Sequence, residues 1–166
     1  CSVRRQRQMC IRDSPKGVVY HHRGGYLMAT GSVTAWNMPN RLNFLYTVPM
    51  FHCNGWCYPW TLAMLHARVI CIRNIRAKEI FELISEHKIT HFGGAPIILN
   101  MLANAPKEEQ IKLNHKVYVL TAAAPPPSII FKKMKELGFE VMHVYGLTET
   151  YGHILQCAWN LSLIHI

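Results

Sequence analysis

A run of six residues near the C-terminal end combines the groups that could hold a nucleotide. The run consists of Tyr145, Gly146, Leu147, Thr148, Glu149 and Thr150. An aromatic ring can stack on a purine, a glycine lets backbone approach phosphates, and a hydroxyl can donate to a phosphate oxygen. A carboxylate suits Mg²⁺, a hard cation that prefers oxygen ligands. The run is therefore a candidate site for ATP and its magnesium ion, with a solvated turn as the alternative.

A short apolar run over residues 140–144 precedes this motif and predicts the strand that positions it. Ligands of open parallel α/β sheets bind in the crevice beyond the carboxyl ends of the strands. Val144 would then be the last residue of the strand, and Tyr145 the first residue in the crevice.

Two further loops near predicted strands have features that suit a nucleotide. Lys16 lies in a Pro-Lys-Gly turn, where its ammonium group can pair with the β- and γ-phosphates. A second loop combines Thr121 with three small residues, Ala122, Ala123 and Ala124, so that a flat base can lie against its backbone. The alternatives are a surface turn for the first loop and an ordinary strand-to-helix connection for the second, because proline is common at helix starts.

Two more loops have residues suited to an apolar pocket. His52 and Trp56 lie in an aromatic, glycine-containing turn, and this much aromatic surface in a loop indicates a lined pocket. Gly94 and Ala95 follow another predicted strand and could wall a channel for a slender apolar group. A histidine taken alone is more often a structural hydrogen-bonding group than a catalyst, and the glycine pair could simply begin a helix.

The rest of the chain alternates strand-like and helix-like runs. Predicted strands cover residues 17–20, 43–48, 68–72, 89–92, 116–121 and 140–144, with the strand at 68–72 expected to be buried. Predicted helices cover residues 22–38, 55–66, 77–88, 96–103 and 128–137, the last ended by Gly138. Such alternation predicts an α/β fold in which right-handed crossovers connect a parallel sheet flanked by helices.

The two ends of the chain look foreign to this pattern. Residues 161–166 can be back-translated into DNA whose reverse complement, in a shifted frame, encodes residues 9–13. This complementarity resembles a sequencing adapter, so residues 1–14 and 161–166 are expected to be non-native and residues 15–160 to be the native segment. The formal charge of +9 falls to +6 without residues 1–14, which carry four arginines and Asp13. Nucleic-acid binding is not expected, because no basic and aromatic residues interleave.

The spacing of the cysteines indicates only the cellular compartment in which the protein is expected. Cys53, Cys57, Cys71 and Cys157 lack the paired spacing of a zinc site, so buried reduced thiols are favoured over a metal site that includes His52. Reduced thiols and the lack of a signal peptide predict a cytoplasmic location. The most apolar window, residues 56–72, includes a histidine and an arginine, so no integral membrane segment is expected.

The order of these motifs resembles the adenylate-forming (AMP-binding) superfamily of acyl-CoA synthetases, luciferases and peptide-synthetase adenylation domains. The resemblance covers residues 15–159 and implies part of the large N-terminal domain of such an enzyme. Within the superfamily, the runs P-M-F-H-C-N-G-W and C-A-W are most similar to fatty-acyl and medium-chain acyl-CoA synthetases, including the methylmercaptopropionate branch.

The resemblance implies an acid-thiol ligase that uses ATP, Mg²⁺ and coenzyme A. A carboxylic acid, fatty or shorter, would form an acyl-adenylate and then a thioester, without a general base. It also assigns roles to residues. The phosphate-binding loop would include Lys16, the adenine slot would lie between Ala122–Ala124 and Tyr145, Thr148 would contact phosphate, and Glu149 would bind Mg²⁺. Further nucleotide contacts would come from Thr121, Val144, Gly146 and Leu147. His52 would lie between the acyl and nucleotide sites, and Trp56, Gly94 and Ala95 would line the acyl pocket.

The chain departs from the family pattern in several places. The glycine-rich loop before Lys16 is replaced, His153 stands where proline is usual, and alanines stand where glycine is often seen. The family's ribose-binding aspartate and C-terminal lysine are not found. We therefore expect this polypeptide to lack useful ligase activity, a prediction that acid-dependent pyrophosphate release above a Glu149→Ala control would contradict. Loading of a carrier protein and a non-catalytic nucleotide-binding module remain alternatives, and acyl length, acceptor and oligomeric state stay open.

Overall fold

The computed structural model describes residues 17–157, apart from the side chains of residues 53 and 54. Its strands are β1 (Asn43–Tyr46), β2 (Arg68–Cys71), β3 (His91–Gly93), β4 (Val117–Thr121), β5 (Phe139–Leu147) and β6 (Gly152–Gln156). Its helices are α1 (His22–Ala35), α2 (Cys53–Trp56), α3 (Tyr58–Met64), α4 (Ala77–His87), α5 (Pro96–Ala103) and α6 (Ser128–Glu136), and one 3₁₀ turn covers Thr148–Thr150.

The six strands form one sheet in the spatial order β2-β1-β3-β4-β5-β6. Strands β1 to β5 pair in parallel, whereas β6 pairs antiparallel with β5. The predicted α/β class, with a sheet flanked by helices, is confirmed. The sequence prediction missed β6, because its five residues follow a turn that was interpreted as a ligand loop.

Apolar side chains cover both faces of the sheet, as the alternation of Phe44 and Leu45 along β1 illustrates. Leu45 packs in a cluster with residues from α4, α5 and α6, while Phe44 packs in a second cluster with residues of α3 and the end of α1. Helices therefore cover the two faces and leave the carboxyl ends of the parallel strands free to form a site.

The spacing of the apolar residues in α4 explains why this segment forms a helix. Ile80, Phe81 and Ile84 lie on one face and are fully buried, and the helix ends where Lys88 adopts a left-handed conformation at φ 52°. Burying each of these side chains stabilises the fold by about 1.5–3 kcal/mol, and Phe81→Ala would cost about 3–5 kcal/mol. The predicted helix at 77–88 is confirmed to within one residue.

The single helix predicted over residues 55–66 is wrong. Two short helices, α2 and α3, are separated because Gly55, Trp56 and Cys57 all have positive φ values of 66°, 57° and 64°. Glycine is needed at position 55, since a Cβ there would lie 2.1 Å from the hydroxyl oxygen of Tyr46. That hydroxyl donates to the Gly55 carbonyl oxygen at 2.8 Å and fixes the break next to β1.

Three smaller expectations also need correction. Residues 17–20 form no strand, and the Tyr20 ring instead packs against the Tyr151 ring, with centroids 4.0 Å apart and planes tilted by 34°. Strand β2 is not buried, because it lies at the edge of the sheet and three of its four residues are exposed. The free thiols of Cys71 and Cys157 are exposed as well, and only that of Cys57 is buried among the described thiols.

Other element boundaries differ modestly from the predictions. Helix α1 ends at Ala35 rather than at residue 38, and β1 ends at Tyr46 rather than at residue 48. Helix α5 has the predicted bounds, and α6 ends close to Gly138, whose φ of 94° suits glycine. None of the helices within residues 17–157 is both long enough and apolar enough to cross a membrane.

Candidate functional site

A cavity of about 160 Å³ lies where β1, β3 and β4 end at their carboxyl termini. Parallel α/β sheets bind ligands at this edge. The residues that line the cavity are mainly apolar or small, and come from the ends of these strands, the loops that follow them, the end of α2 and the starts of α3 and α5. They are Thr47, Val48, Pro49, His52, Trp56, Tyr58, Gly93, Gly94, Ala95, Ile98, Leu120, Ala122 and Ala123.

All four residues predicted for the acyl pocket line this cavity: His52, Trp56, Gly94 and Ala95. The rings of His52 and Trp56 are stacked, with centroids 6.2 Å apart and planes at 30°. His52 immediately precedes α2, and its carbonyl oxygen accepts from the backbone N–H of Gly55 at 2.9 Å. The structure therefore brings these residues together, while their roles with a ligand stay predictions.

The wall beside Gly94 is fixed by two hydrogen bonds between neighbouring strands. The Thr47 hydroxyl donates to the Gly93 carbonyl oxygen, and the Gly94 N–H donates to the Leu120 carbonyl oxygen at 2.8 Å. Sequence reasoning missed Thr47, because the predicted strand ran through residue 48, whereas β1 ends at Tyr46 and leaves Thr47 in the loop.

The alanine loop after β4 forms another wall of the cavity, which consists of small side chains. Ala122 and Ala123 line the cavity, whereas Ala124 is exposed and Thr121 is buried. Within the described part of the chain, the buried Thr121 hydroxyl has no hydrogen-bond partner. Ala123 has a φ of 70°, so the loop places an alanine where the backbone favours glycine.

His143 supports this loop and was not predicted. Its Nε2 donates to the Ala123 carbonyl oxygen at 3.2 Å. Tyr145 lies two residues further along β5, so its side chain is on the same face of the strand as His143. The Tyr145 ring is 51% exposed and does not line the cavity. A position for the base between this ring and the alanine loop stays a prediction.

The predicted boundary between strand and ligand loop at Val144 is wrong. Strand β5 continues through Leu147 and turns back as β6, with Tyr145 opposite Leu155 and Leu147 opposite Gly152. Val144 is buried in the core cluster on the other face of the strand. Antiparallel pairing explains the difference, because residues 152–156 supply hydrogen-bonding partners that the sequence pattern did not indicate.

The hairpin gives Gly146 a packing role. A Cβ at this position would lie 2.0 Å from the Gly152 carbonyl oxygen and 2.7 Å from the His153 Cα. Both atoms belong to backbone, so a side chain could be accommodated only by separating the strands. Close approach of phosphates to Gly146, which the sequence suggested, stays a prediction.

The 3₁₀ turn at the hairpin tip holds the predicted phosphate and metal ligands. Thr150 Oγ1 accepts from the Leu147 N–H at 2.9 Å and donates to the Gly152 carbonyl oxygen at 2.7 Å. The Thr148 carbonyl oxygen accepts from the Tyr20 hydroxyl at 2.5 Å. Glu149 is exposed and forms no ion pair within residues 17–157. Its carboxylate is therefore available to a cation.

Tyr151 anchors this turn to the helices. The indole N–H of Trp60 donates to the Tyr151 hydroxyl at 2.7 Å, and the Tyr20 ring packs at a tilt against the Tyr151 ring. Nearby, the Cys57 thiol donates to the Gly25 carbonyl oxygen at 3.4 Å. Burial raises the pKa of the Cys57 thiol to about 11, with a smaller opposing effect of its hydrogen bond to Tyr151, so this cysteine is a neutral packing residue.

Two further histidines are buried, one in β3 and one in β6. Burial lowers the pKa of His91 to about 4 and lowers that of His153 as well, so both are neutral at pH 7. His91 Nδ1 is 2.9 Å from the Thr90 hydroxyl oxygen, and its ring stacks on Tyr118. Neither histidine was predicted as a core residue, because lone histidines carry no burial signal in a sequence.

Metal ligation rests on few residues. Residues 17–157 contain no group of three or more histidine, cysteine, aspartate or glutamate side chains that could hold a metal ion. Glu149 would therefore be the one protein carboxylate that this turn offers to a metal ion. One carboxylate is enough for Mg²⁺, because this ion takes its other ligands from water and substrate phosphates. The prediction for Lys16 lies outside the described residues.

Comparisons with known proteins identify the family of this chain. The family model described as "AMP-binding enzyme" matches residues 14–164. The chain is 54% identical over 149 residues to "Acetate/butyrate--CoA ligase AAE7, peroxisomal" of Arabidopsis thaliana, covering 89% of the chain and 26% of that protein. It is 46% identical over 154 residues to "2-methylpropanoate--CoA ligase CCL4" of Humulus lupulus, covering 93% of the chain and 27% of that protein.

A solved structure has the same fold. The N-terminal domain of FACL13 from Mycobacterium tuberculosis superposes with a TM-score of 0.81 at 27% identity, covering 87% of the chain and 37% of that structure. The chain spans about a quarter of the length of the two plant relatives. The matched family model, the identity to the plant ligases and the shared fold establish that this chain belongs to the AMP-binding enzyme family.

Proposed function

We propose that this chain carries the acyl and nucleotide sites of an ATP-dependent acid-thiol ligase, which activates an aliphatic carboxylic acid and transfers it to coenzyme A. One observation carries the proposal. A single cavity is lined by His52, Trp56 and Gly94 of the predicted acyl pocket and by Ala122 and Ala123 of the predicted adenine loop. An acyl-adenylate needs its acyl chain and its nucleotide next to each other, as such a shared cavity would allow.

In the first half-reaction, a carboxylate oxygen of the acid bonds to the α-phosphorus of ATP. The bond from that phosphorus to the bridging oxygen breaks, and pyrophosphate leaves. In the second, the sulfur of coenzyme A bonds to the acyl carbon, the carbon–oxygen bond to AMP breaks, and the thiol proton is released. The names of the plant relatives support this chemistry, since they describe ligases that join acetate, butyrate or 2-methylpropanoate to coenzyme A.

The residues around the cavity would act by position and by exclusion of water. The stacked pair of His52 and Trp56 would lie beside the junction between acyl and phosphate groups. Apolar walls from Tyr58 and Leu120 would keep water from the reactive acyl-adenylate. A site that holds the carboxylate next to the α-phosphorus makes the reaction between them effectively unimolecular. This positioning would supply much of the rate enhancement.

Glu149 would hold Mg²⁺ at the hairpin tip, with Thr148 beside it for a phosphate oxygen. The exposed carboxylate on a tightly hydrogen-bonded turn fits an ion that takes most of its ligands from phosphate and water. When bound, the ion would neutralise the charge that develops on the departing pyrophosphate.

Calorimetric titration of the chain tests the proposal. The probes are butyrate, AMP and a butyryl sulfamoyl adenosine, a non-hydrolysable mimic of the adenylate. We expect the mimic to bind at least about 10²-fold more tightly than either part, because linking the parts makes the second contact intramolecular. Equal affinities of the mimic and of AMP would contradict a shared cavity.

A matched pair of glycine variants controls this measurement. A Cβ at Gly94 would meet Leu99 and Ile98 at ordinary contact distances of 3.4–3.6 Å, so Gly94→Val should fold and partly fill the cavity. It is expected to weaken the mimic toward the affinity of AMP and leave AMP itself unchanged. Gly31→Val, on an open surface of α1, is expected to change neither affinity.

The expected cytoplasmic location stays a prediction, because one plant relative has a peroxisomal name. The expectations that nucleic acid is not a partner and that this polypeptide lacks ligase activity also stay predictions.

A further inference from the structure

The peptide group between Gly55 and Trp56 is hydrogen-bonded at both ends. Its carbonyl oxygen accepts from the buried Tyr46 hydroxyl at 2.8 Å and also from the backbone N–H of Cys57. Its N–H, which belongs to Trp56, donates to the His52 carbonyl oxygen at 3.3 Å. The orientation of this peptide group therefore depends on a side chain of β1, nine residues away along the chain.

This peptide group determines where the Trp56 ring lies. The ring forms part of the cavity wall and stacks with the ring of His52. Cys57 and Tyr58, which follow directly, are both buried, so close packing holds the chain on that side. The freedom that remains in the turn is a rotation of the peptide group, which would change the φ of Trp56 and tilt its ring in the wall.

Trp56 disfavours the conformation in which Tyr46 holds it. Its φ is 57°, and a residue with a Cβ favours right-handed over left-handed backbone by about 5–30-fold. A neutral hydrogen bond stabilises the conformation that contains it by about fivefold. Because the two effects are similar in size, loss of the Tyr46 hydroxyl is sufficient to change the conformation of the turn.

Tyr46 and Gly55 fit each other as a pair. A Cβ at Gly55 would overlap the Tyr46 hydroxyl oxygen and would lie 3.1 Å from its Cζ, so the bond needs a glycine. Burial raises the pKa of Tyr46 above its ordinary value, and the hydroxyl is therefore a neutral donor at physiological pH. Tyr46 does not itself line the cavity that Trp56 lines.

Resting on the proposed ligase function, we propose that Tyr46 is a positioning residue for the acyl group. Through Gly55, its hydroxyl selects the orientation of the turn in which Trp56 forms the acyl wall of the cavity. The effect is confined to the acyl part of the ligand, because the predicted adenine wall of Ala122 and Ala123 belongs to a different loop.

The variant Tyr46→Phe tests the inference, since it removes the hydroxyl and keeps the ring that packs in the core cluster. Its affinity for butyryl sulfamoyl adenosine is expected to fall about fivefold, because apparent affinity falls with the fraction of molecules in the binding conformation. Its affinity for AMP is expected to stay unchanged. A merely structural role would lower both affinities together, so the ratio of the two identifies a positioning role.

Tyr118→Phe is the matched control. Tyr118 is a half-buried tyrosine of β4 that packs against the same core cluster, and its hydroxyl forms no hydrogen bond to another described residue. Neither affinity is expected to change in this variant. Thermal denaturation measures how much of each variant is folded at the temperature of the titration.

Gly55→Ala breaks the same contact from the other side and leaves the hydroxyl in place. It is expected to weaken the mimic selectively as well. Added to Tyr46→Phe, it should cause a smaller further loss than it causes alone, since the contact is already broken. This variant also tests the contact should Tyr46→Phe fail to fold.

A measurement without ligand follows Trp56 directly. The indole ¹⁵N–¹H signal of Trp56 in an NMR spectrum, identified by its disappearance in Trp56→Phe, is expected to shift or split in Tyr46→Phe. It is expected to stay in place in Tyr118→Phe.

The outcomes separate this inference from the proposed function. A selective loss of mimic affinity in Tyr46→Phe, together with a moved Trp56 signal, supports both. An unchanged ratio of the two affinities, or additive losses in the double variant, overturns the inference and leaves the ligase proposal standing. If the unchanged chain binds the mimic no more tightly than AMP, both are overturned, and a moved Trp56 signal then shows only a structural role for Tyr46.

Discussion

Replacing Gly146 by alanine tests how closely β5 and β6 approach each other in the hairpin whose turn carries Glu149. The new Cβ would lie 2.0 Å from the Gly152 carbonyl oxygen, whereas ordinary contacts begin near 3.4 Å, so the strands must separate by more than 1 Å. Separation would break the pairing of Gly146 with His153 and of Leu147 with Gly152. Losing two or three backbone hydrogen bonds, each worth about 1 kcal/mol, would destabilise the protein by about 2–3 kcal/mol.

Thermal denaturation measures the effect, since about 1 kcal/mol shifts Tm by roughly 2–4 °C in a chain of this size. We expect Gly146→Ala to lower Tm by roughly 4–12 °C and to speed amide hydrogen exchange at Leu147. The same substitution at Gly31, which has open space around it in helix α1, should instead raise stability by up to about 1 kcal/mol. A Gly146→Ala variant as stable as the Gly31→Ala variant would refute the close approach of the two strands.

Two further predictions concern backbone strain and a buried imidazole. Ala123→Gly should raise stability by roughly 1 kcal/mol, because the φ of 70° disfavours any residue with a Cβ, while Ala124→Gly, which lacks a positive φ, should lower it by roughly 0.5–1 kcal/mol. Urea denaturation checks both, and equal losses would argue against the left-handed conformation of the loop. His91 has a folded pKa of about 4, below its unfolded value near 6.5, so the unfolded state binds more protons between these values. The contribution of His91 to stability should therefore be complete above pH 6.5 and fall by about 3 kcal/mol as the pH drops toward 4. His91→Gln should remove this part of the loss in denaturation curves measured across that range and leave the part that arises from His153, whose pKa is also lowered. An unchanged pH profile in the variant would mean that other groups cause the loss.

Periodicity predicted most of the elements because their residues have strong local patterns. Helix α4 shows a regular apolar face, and α5 is bounded by Pro96 and small residues, so both were located almost to the residue. Strands β4 and β5 were also found from apolar runs. The order of the parallel strands could not be predicted, since it depends on contacts between residues far apart in sequence.

The errors occur where distant partners override the local pattern. The apolar run that contains Cys57 predicts one helix, but Tyr46 binds the Gly55 carbonyl and the chain breaks there. The run at Tyr145 predicts a loop, yet residues 152–156 pair with it and extend the strand. In both places the hydrogen bonds that decide the structure join separate segments of the chain. The pattern of residues within one segment does not indicate which other segment will pair with it.

Some residues of the candidate site could be predicted from the sequence, and others could not. Residue types such as His52, Trp56 and the alanines were recognisable because they are unusual in a loop, and the structure brings them to one cavity. Thr47, Ile98 and His143 were missed, since each is an ordinary residue whose importance arises only from what it contacts.

A crystal structure of the chain with a butyryl sulfamoyl adenosine tests most directly whether one cavity holds both parts of an acyl-adenylate. We expect the alkyl chain to lie between Trp56, Gly94 and Ile98, and the adenine to lie against the backbone of Ala122 and Ala123. An alkyl chain outside this cavity, or an adenine bound away from the alanine loop, would contradict it.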